Sequence, residues 1–433
     1  MGFFKKTKKD RVCVFGLDGV PHSLLLDLAR QDVMPFFRTL IESGTLHKMK
    51  ASLPEISSVS WTDFMTGTTS GTHGIFGFTD LKENSYAMRF PNYLDMKAET
   101  IWDKLGQKNK KSVIINQPST YPARRLNGTL ISGFVAIELG KAVYPITTKP
   151  ALEKIGYEID IDTFKARENH EFLWKELDRT LAGRVKAFDL LWKEDWDYFE
   201  LVITGTDRLQ HFLWDAFSDL EHPYHQRFLD YYRQIDIALQ HMVSSYKKLN
   251  GGTDGLFLLS DHGFTGIKQE VYLNAWLEKE GYLSFSMTEP KTLDDISAKS
   301  KAFAMDPNRI YFNYEGRYPR GSVNPAERDA LAAEIKAKLA PLSHEGTPVV
   351  HRIFDTRDIY TGPHVEKGPD LIVLSEHGYD MKGSIKKKEI FGRSILQGMH
   401  TWDDAFFWAA GEHGPDLAIS QLSQIILDRF NLT

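Results

Sequence analysis

Leu256-Phe257-Leu258-Leu259-Ser260-Asp261-His262-Gly263 is the stretch from which the fold is read. An apolar run without polar alternation, closed by a polar turn, is the pattern of a strand buried on both faces, as in a parallel sheet covered by helices. Its end carries a carboxylate and an imidazole at the carboxyl edge, where open α/β sheets bind their ligands. Two other runs behave alike: Val12-Cys13-Val14-Phe15 leads to Asp18, and Leu201-Val202-Ile203 leads to Asp207 and His211. Three acidic strand ends predict one metal centre.

Working outward, strand-like runs at residues 12–17, 112–116, 199–204, 255–260 and 370–375 alternate with helix-like segments. That alternation predicts an α/β fold, a doubly wound, mostly parallel sheet with helices on both faces. After Pro223, the spacing of Phe228, Tyr232, Ile235, Leu239, Met242 and Tyr246 predicts an amphipathic helix that packs on the core. A second helix is expected over 171–192. Between Asn274 and Gly368 the pattern changes to a strand at 309–313, a turn-rich stretch at 316–321 and a helix over 325–339. The expected organisation is a core of residues 10–275 and 366–433 with an inserted cap at 276–365.

The 433 residues, 42% of them hydrophobic, are enough for a large core. A net charge of -5 with both signs interspersed offers no basic face, so a polymeric nucleic acid is not an expected partner. Cys13 is the only cysteine and lies in an apolar run, which points to a small buried hydrophobe in a reducing, cytoplasmic compartment. The basic stretch from Phe3 to Arg11 is followed by too short an apolar run for a signal peptide. No stretch approaches the ~18 apolar residues of a membrane span, so no membrane partner is expected.

Each candidate residue has a plainer alternative. Asp18-Gly19 is equally a turn. Asp207 and His211, at i and i+4, face one ion if the strand end leads into a helical turn, or are an N-cap and a surface histidine. His400 in Gly398-Met399-His400 completes a site, with His413 as its competitor. Glu376-His377-Gly378 follows Leu371-Ile372-Val373-Leu374 as a weaker copy of the Asp261 motif. Oxygen and imidazole ligands without thiolate suit zinc first and manganese second, as a pair of ions about 3.5–4 Å apart. The stretch from Ser57 to Gly67 looks like a loop entering a short helix stopped by Gly67. A serine there stands near a helix N-terminus, as nucleophile or as an ordinary cap.

The order Leu17-Asp18-Gly19, Ser57 to Gly67 with His73-Gly74-Ile75, Thr206-Asp207-Arg208-Leu209-Gln210-His211, Ser260-Asp261-His262-Gly263 and Gly398-Met399-His400 resembles the alkaline phosphatase superfamily, nearest its type I phosphodiesterase/nucleotide pyrophosphatase branch. The resemblance implies that Ser57 is the nucleophile and a ligand of the ion held by Asp18, Asp261 and His262. It also implies a second ion on Asp207, His211 and His400, with His73-Gly74 structural. Phe78 stands where the branch has a phosphate-contacting Asn, and the sulfatase modification motif is missing. The expected activity is two-metal hydrolysis of a phosphodiester or pyrophosphate in a small-molecule phosphate ester, through a phosphoserine. A phosphomonoesterase or a phosphoglycerate mutase-like transferase is the alternative, and a metal-stabilised binding protein the rival from another class. Arg208 or the Arg124-Arg125 pair is a potential source of positive charge.

Overall fold

The computed structural model describes residues 10–414 and 416–432, so most of the basic stretch from Phe3 to Arg11 lies outside the described residues. Its centre is an eight-stranded sheet in the order Thr45–Met49, Ala405–Ala409, Leu256–Leu259, Val12–Leu17, Tyr198–Ile203, Ser112–Gln117, Gly128–Ser132 and Val143–Tyr144. The five strands from Leu256–Leu259 to Gly128–Ser132 pair in parallel. Ala405–Ala409 runs antiparallel between Leu256–Leu259 and Thr45–Met49, and Val143–Tyr144 closes the other edge antiparallel. Thr45–Met49 tolerates the edge because its side chains are half-exposed and include His47 and Lys48.

The alternation of side chains in the strands feeds two cores. Cys13, Phe15, Leu17, Leu201 and Ile203 pack on the helices His170–Leu191, Gly205–Ser218 and His225–Asn250. Val12, Val14, Tyr198, Val202 and Leu259 pack on Ser57–Thr66, Ile101–Gln107 and Leu422–Asp428. Helices on both faces bury the central strands, which is why those strands are mostly apolar.

The run at 370–375 is a strand, Leu371–Ser375, but it does not join this sheet. It pairs antiparallel with Arg309–Phe312 and Val350–Asp355, and Ala302–Met305 completes a separate four-stranded sheet. A continuous apolar run reports burial on both faces and says nothing of which sheet supplies it. Phe303, Ile310, Phe312, Ile335, Leu371 and Val373 form the core around this second sheet. A short antiparallel ribbon, Gly263–Gly266 with Gly398–Thr401, sets Phe264 opposite His400 and carries the late histidine back to the end of Leu256–Leu259.

Candidate metal centre

The strands ending at Leu259, Leu17 and Ile203 are immediate neighbours in the sheet. Asp261, Asp18 and Asp207 therefore leave the same carboxyl edge side by side. The Asp18-Gly19 turn is held from three sides. Asp261 Oδ1 accepts from the Gly19 amide at 2.9 Å, Thr206 Oγ1 donates to the Asp18 carbonyl at 2.6 Å, and Gln210 Nε2 donates to the Gly19 carbonyl at 2.9 Å. Asp207 sits in the first turn of Gly205–Ser218, and His211 is one turn further on the same face.

Two groups of ligand atoms lie close enough to share an ion, Asp18 with Asp261 and His262, and Asp207 with His262 and His400. His211 belongs to the second neighbourhood: its Nε2 is 3.0 Å from His400 Nε2 and 3.4 Å from Asp207 Oδ1, which is itself 3.2 Å from His400 Nε2. His262 and His400 stack with ring centroids 3.7 Å apart.

Each imidazole has its tautomer fixed from behind. Nδ1 of His211, His262 and His400 faces the carbonyl of Gly398, Gly263 and Glu55 at 3.0, 3.0 and 2.8 Å. A carbonyl only accepts, so Nδ1 holds the hydrogen in each ring; the Nε2 atoms of His211 and His262, both kept neutral by burial, then turn lone pairs toward the cluster, while His400 Nε2 faces Asp207 Oδ1. Asp261 Oδ2 is buried without a hydrogen-bond donor, 3.3 Å from the Nε2 lone pair of His262. Acceptors crowded on acceptors fit a cation between them, and an oxygen and nitrogen donor set fits a divalent transition ion.

The titration behaviour separates His400 from the other two histidines. Burial, then the charges of Asp261 and Asp207, pushes Asp18 well up, and burial pushes Asp261 up to about 6. Burial pushes His211 down to about 4 and His262 well down, which keeps both neutral. His400 is raised because its hydrogen bond and attraction to Asp207 outweigh burial.

Ser57 is the first residue of the helix Ser57–Thr66, which Gly67 ends at φ 69, a conformation that favours glycine. Its buried Oγ lies 3.3 Å from Asp18 Oδ1 and 3.2 Å from His262 Nε2. Ser58 Oγ is buried without a partner and Ser60 Oγ accepts from the Ser52 amide. His73 is fully buried, accepts the Ile75 amide on Nδ1 and donates from Nε2 to Asp63 at 2.6 Å, tying the helix to the turn that follows it.

Other candidates lie elsewhere. His413 packs on His47 and Phe407, and His377 pairs with Asp403 at 2.9 Å in a separate cleft beside His351 and Trp402. Arg124 stacks on Tyr93, 3.7 Å from the ring, and Arg125 lines a groove with Trp102 and Asp103. Arg208 does reach the cluster, donating to Asp207 Oδ2 at 2.8 Å. Asp160, which binds the far side of Arg208 at 2.7 Å, carries no signal in the sequence, since it lies within the loop between the helices Lys149–Lys154 and Thr163–Glu168, with no motif of its own.

Among solved structures, phosphonoacetate hydrolase from Sinorhizobium meliloti 1021 in complex with phosphonoformate superposes with TM-score 0.63 at 14% identity, over 98% of this chain and 96% of that one. Murine ectonucleotide pyrophosphatase/phosphodiesterase 5 in complex with AMP superposes with TM-score 0.56 at 14% identity, over the same shares. These likenesses show a shared α/β fold. No protein of curated function matches the sequence. Among the described residues no helix is long and apolar enough to cross a membrane. The sequence profile described as Type I phosphodiesterase / nucleotide pyrophosphatase matches residues 12–403, and the chain accordingly belongs to this family of phosphoester hydrolases.

Proposed function

We propose that this chain is a two-metal phosphohydrolase that opens a phosphodiester or pyrophosphate bond through a phosphoserine on Ser57. The observation that supports it most is the place of Ser57 Oγ, at a helix N-terminus and within 3.3 Å of both Asp18 and His262. In this reading Asp18, Asp261 and His262, with Ser57, hold one ion, and Asp207, His211 and His400 hold the other. Zinc is the first choice for this donor set and manganese the second. Divalent ions in such a pair supply Lewis acidity to the attacking and leaving oxygens. The rest is done by the chain. The helix N-terminus draws the anionic phosphate toward Ser57. Ser57 Oγ bonds to phosphorus as the bond to the leaving oxygen breaks, and that oxygen takes up a proton. Water then cleaves the Ser57 Oγ–P bond and restores the hydroxyl. Phe78, an apolar ring, suits a diester monoanion better than a dianion. The second sheet, in which Leu371–Ser375 joins strands of the 276–365 segment, serves as the cap that shapes the leaving-group side.

The test is Ser57→Ala, assayed on an aryl methyl phosphodiester with ion content measured alongside. We expect kcat to fall by about a hundredfold or more, equal to about 3 kcal/mol of transition-state stabilisation, with the ions retained. An active Ser57→Ala beside a dead Ser58→Ala would move the nucleophile by one residue and overturn the assignment.

A further inference from the structure

Arg208 is a cation that adjoins the cluster, and two carboxylates hold it. Nη1 donates to Asp207 Oδ2 at 2.8 Å, while Nη2 and Nε donate to Asp160 Oδ2 at 2.7 and 3.3 Å. The guanidinium lies 4.2 Å over the ring of Phe134. Phe134 meets Phe78 edge-on, with centroids 5.2 Å apart, and Phe78 lines the small cavity shared with Ser58 and Ser119. Arg208 thus lies one carboxylate away from the cluster, behind the aromatic wall that runs from it to the nucleophile's helix. Its side chain and that of Asp160 are only 11% and 14% exposed, so water screens neither well.

We propose that Asp160 sets the substrate's charge class by neutralising Arg208. This rests on the phosphohydrolase reading above. Asp207 takes half of the guanidinium fork and fixes which of its own oxygens faces His211 and His400. Asp160 takes the other half. With both partners in place, the site shows little free positive charge to the second negative charge of a monoester and favours diesters. Without Asp160 the guanidinium keeps its anchor on Asp207 and gains an unpaired charge beside the aromatic wall, which favours dianions.

The experiment compares wild type, Asp160→Asn, Arg208→Gln and the double variant, all loaded with zinc and with ion content measured. Two readouts are taken: the monoester-to-diester ratio of kcat/KM on an aryl phosphate and its methyl diester, and the affinity for inorganic phosphate by calorimetry at pH 8. Asp160→Asn should raise the ratio and tighten phosphate by about tenfold, and the double variant should lose both gains. No change in Asp160→Asn overturns the proposal. Gains that persist in the double variant overturn it too, because they would then come from removing a negative charge and not from freeing Arg208. Should Asp160→Asn not fold, Asp160→Ser is read by the same criteria. Wild type that neither binds zinc nor cleaves the diester defeats the phosphohydrolase reading itself, whereas a working enzyme with an unmoved ratio defeats only this inference.

Discussion

The three histidines of the cluster share one device, a backbone carbonyl behind each ring that leaves Nε2 free to bind. Protons compete with a cation for the same groups, and the direction of that competition follows from the shifts. Asp261 takes up a proton as pH falls through about 6, and His400, raised above its ordinary value, does so somewhat higher. Zinc affinity should therefore weaken as pH falls toward 6 and below, by up to about tenfold per pH unit for each proton displaced. Equilibrium dialysis between pH 5 and 8 measures this, and a flat affinity would contradict it. His211→Ala and Asp261→Asn should each lower the zinc content of the purified protein, which elemental analysis decides. The clustering of Asp18, Asp261 and His262 is legible in the sequence because each lies within three residues of the end of an apolar strand. The Arg208–Asp160 pair is not, because an ion pair across 48 positions leaves no period or motif to read.

At the scale of elements, the helix Ser57–Thr66 meets the central strand through Trp61. A Cβ built on Gly16 would come 2.5 Å from Cη2 of Trp61, so the strand needs a glycine to let this helix lie flat on the sheet. Gly16→Ala should cost roughly 1–3 kcal/mol by overpacking, and it should also lower kcat, because the displaced Trp61 carries Ser57 with it. Urea titration gives the first quantity and the diester assay the second; an unchanged midpoint would show that the ring has room to move. Elements whose two faces are both buried were readable as apolar runs, and the helices His170–Leu191 and His225–Asn250 lie where aromatic and aliphatic spacing places them. Thr45–Met49, Gly128–Ser132 and Val143–Tyr144 escape such reading. They are short strands at or near the sheet edges, with too few residues or too mixed a pattern to stand apart from loop.

For the whole molecule, the central sheet carries a titratable load away from its ends. Glu200 is fully buried in Tyr198–Ile203, accepts a hydrogen bond from Tyr198 at 2.5 Å, and is pushed by burial from 4.5 up to about 8. Below pH 4.5 the folded and unfolded chains both hold this proton. Between 4.5 and 8 the unfolded chain releases it while the folded chain keeps it, so stability falls as pH rises, by a total on the order of 5 kcal/mol. Glu200→Gln should match wild type near pH 4.5 and exceed it progressively toward pH 8 in urea unfolding, and parallel curves would refute the burial argument. Ala405–Ala409 also governs how the molecule comes into being. It separates Thr45–Met49 from Leu256–Leu259, and the ribbon just before it delivers His400. A ribosome must therefore pass residue 409 before the gap between those two strands is filled. Until then the nascent chain shows two bare strand edges, which are open to pairing with other chains, and lacks the histidine that joins Asp207 and His262 in the cluster.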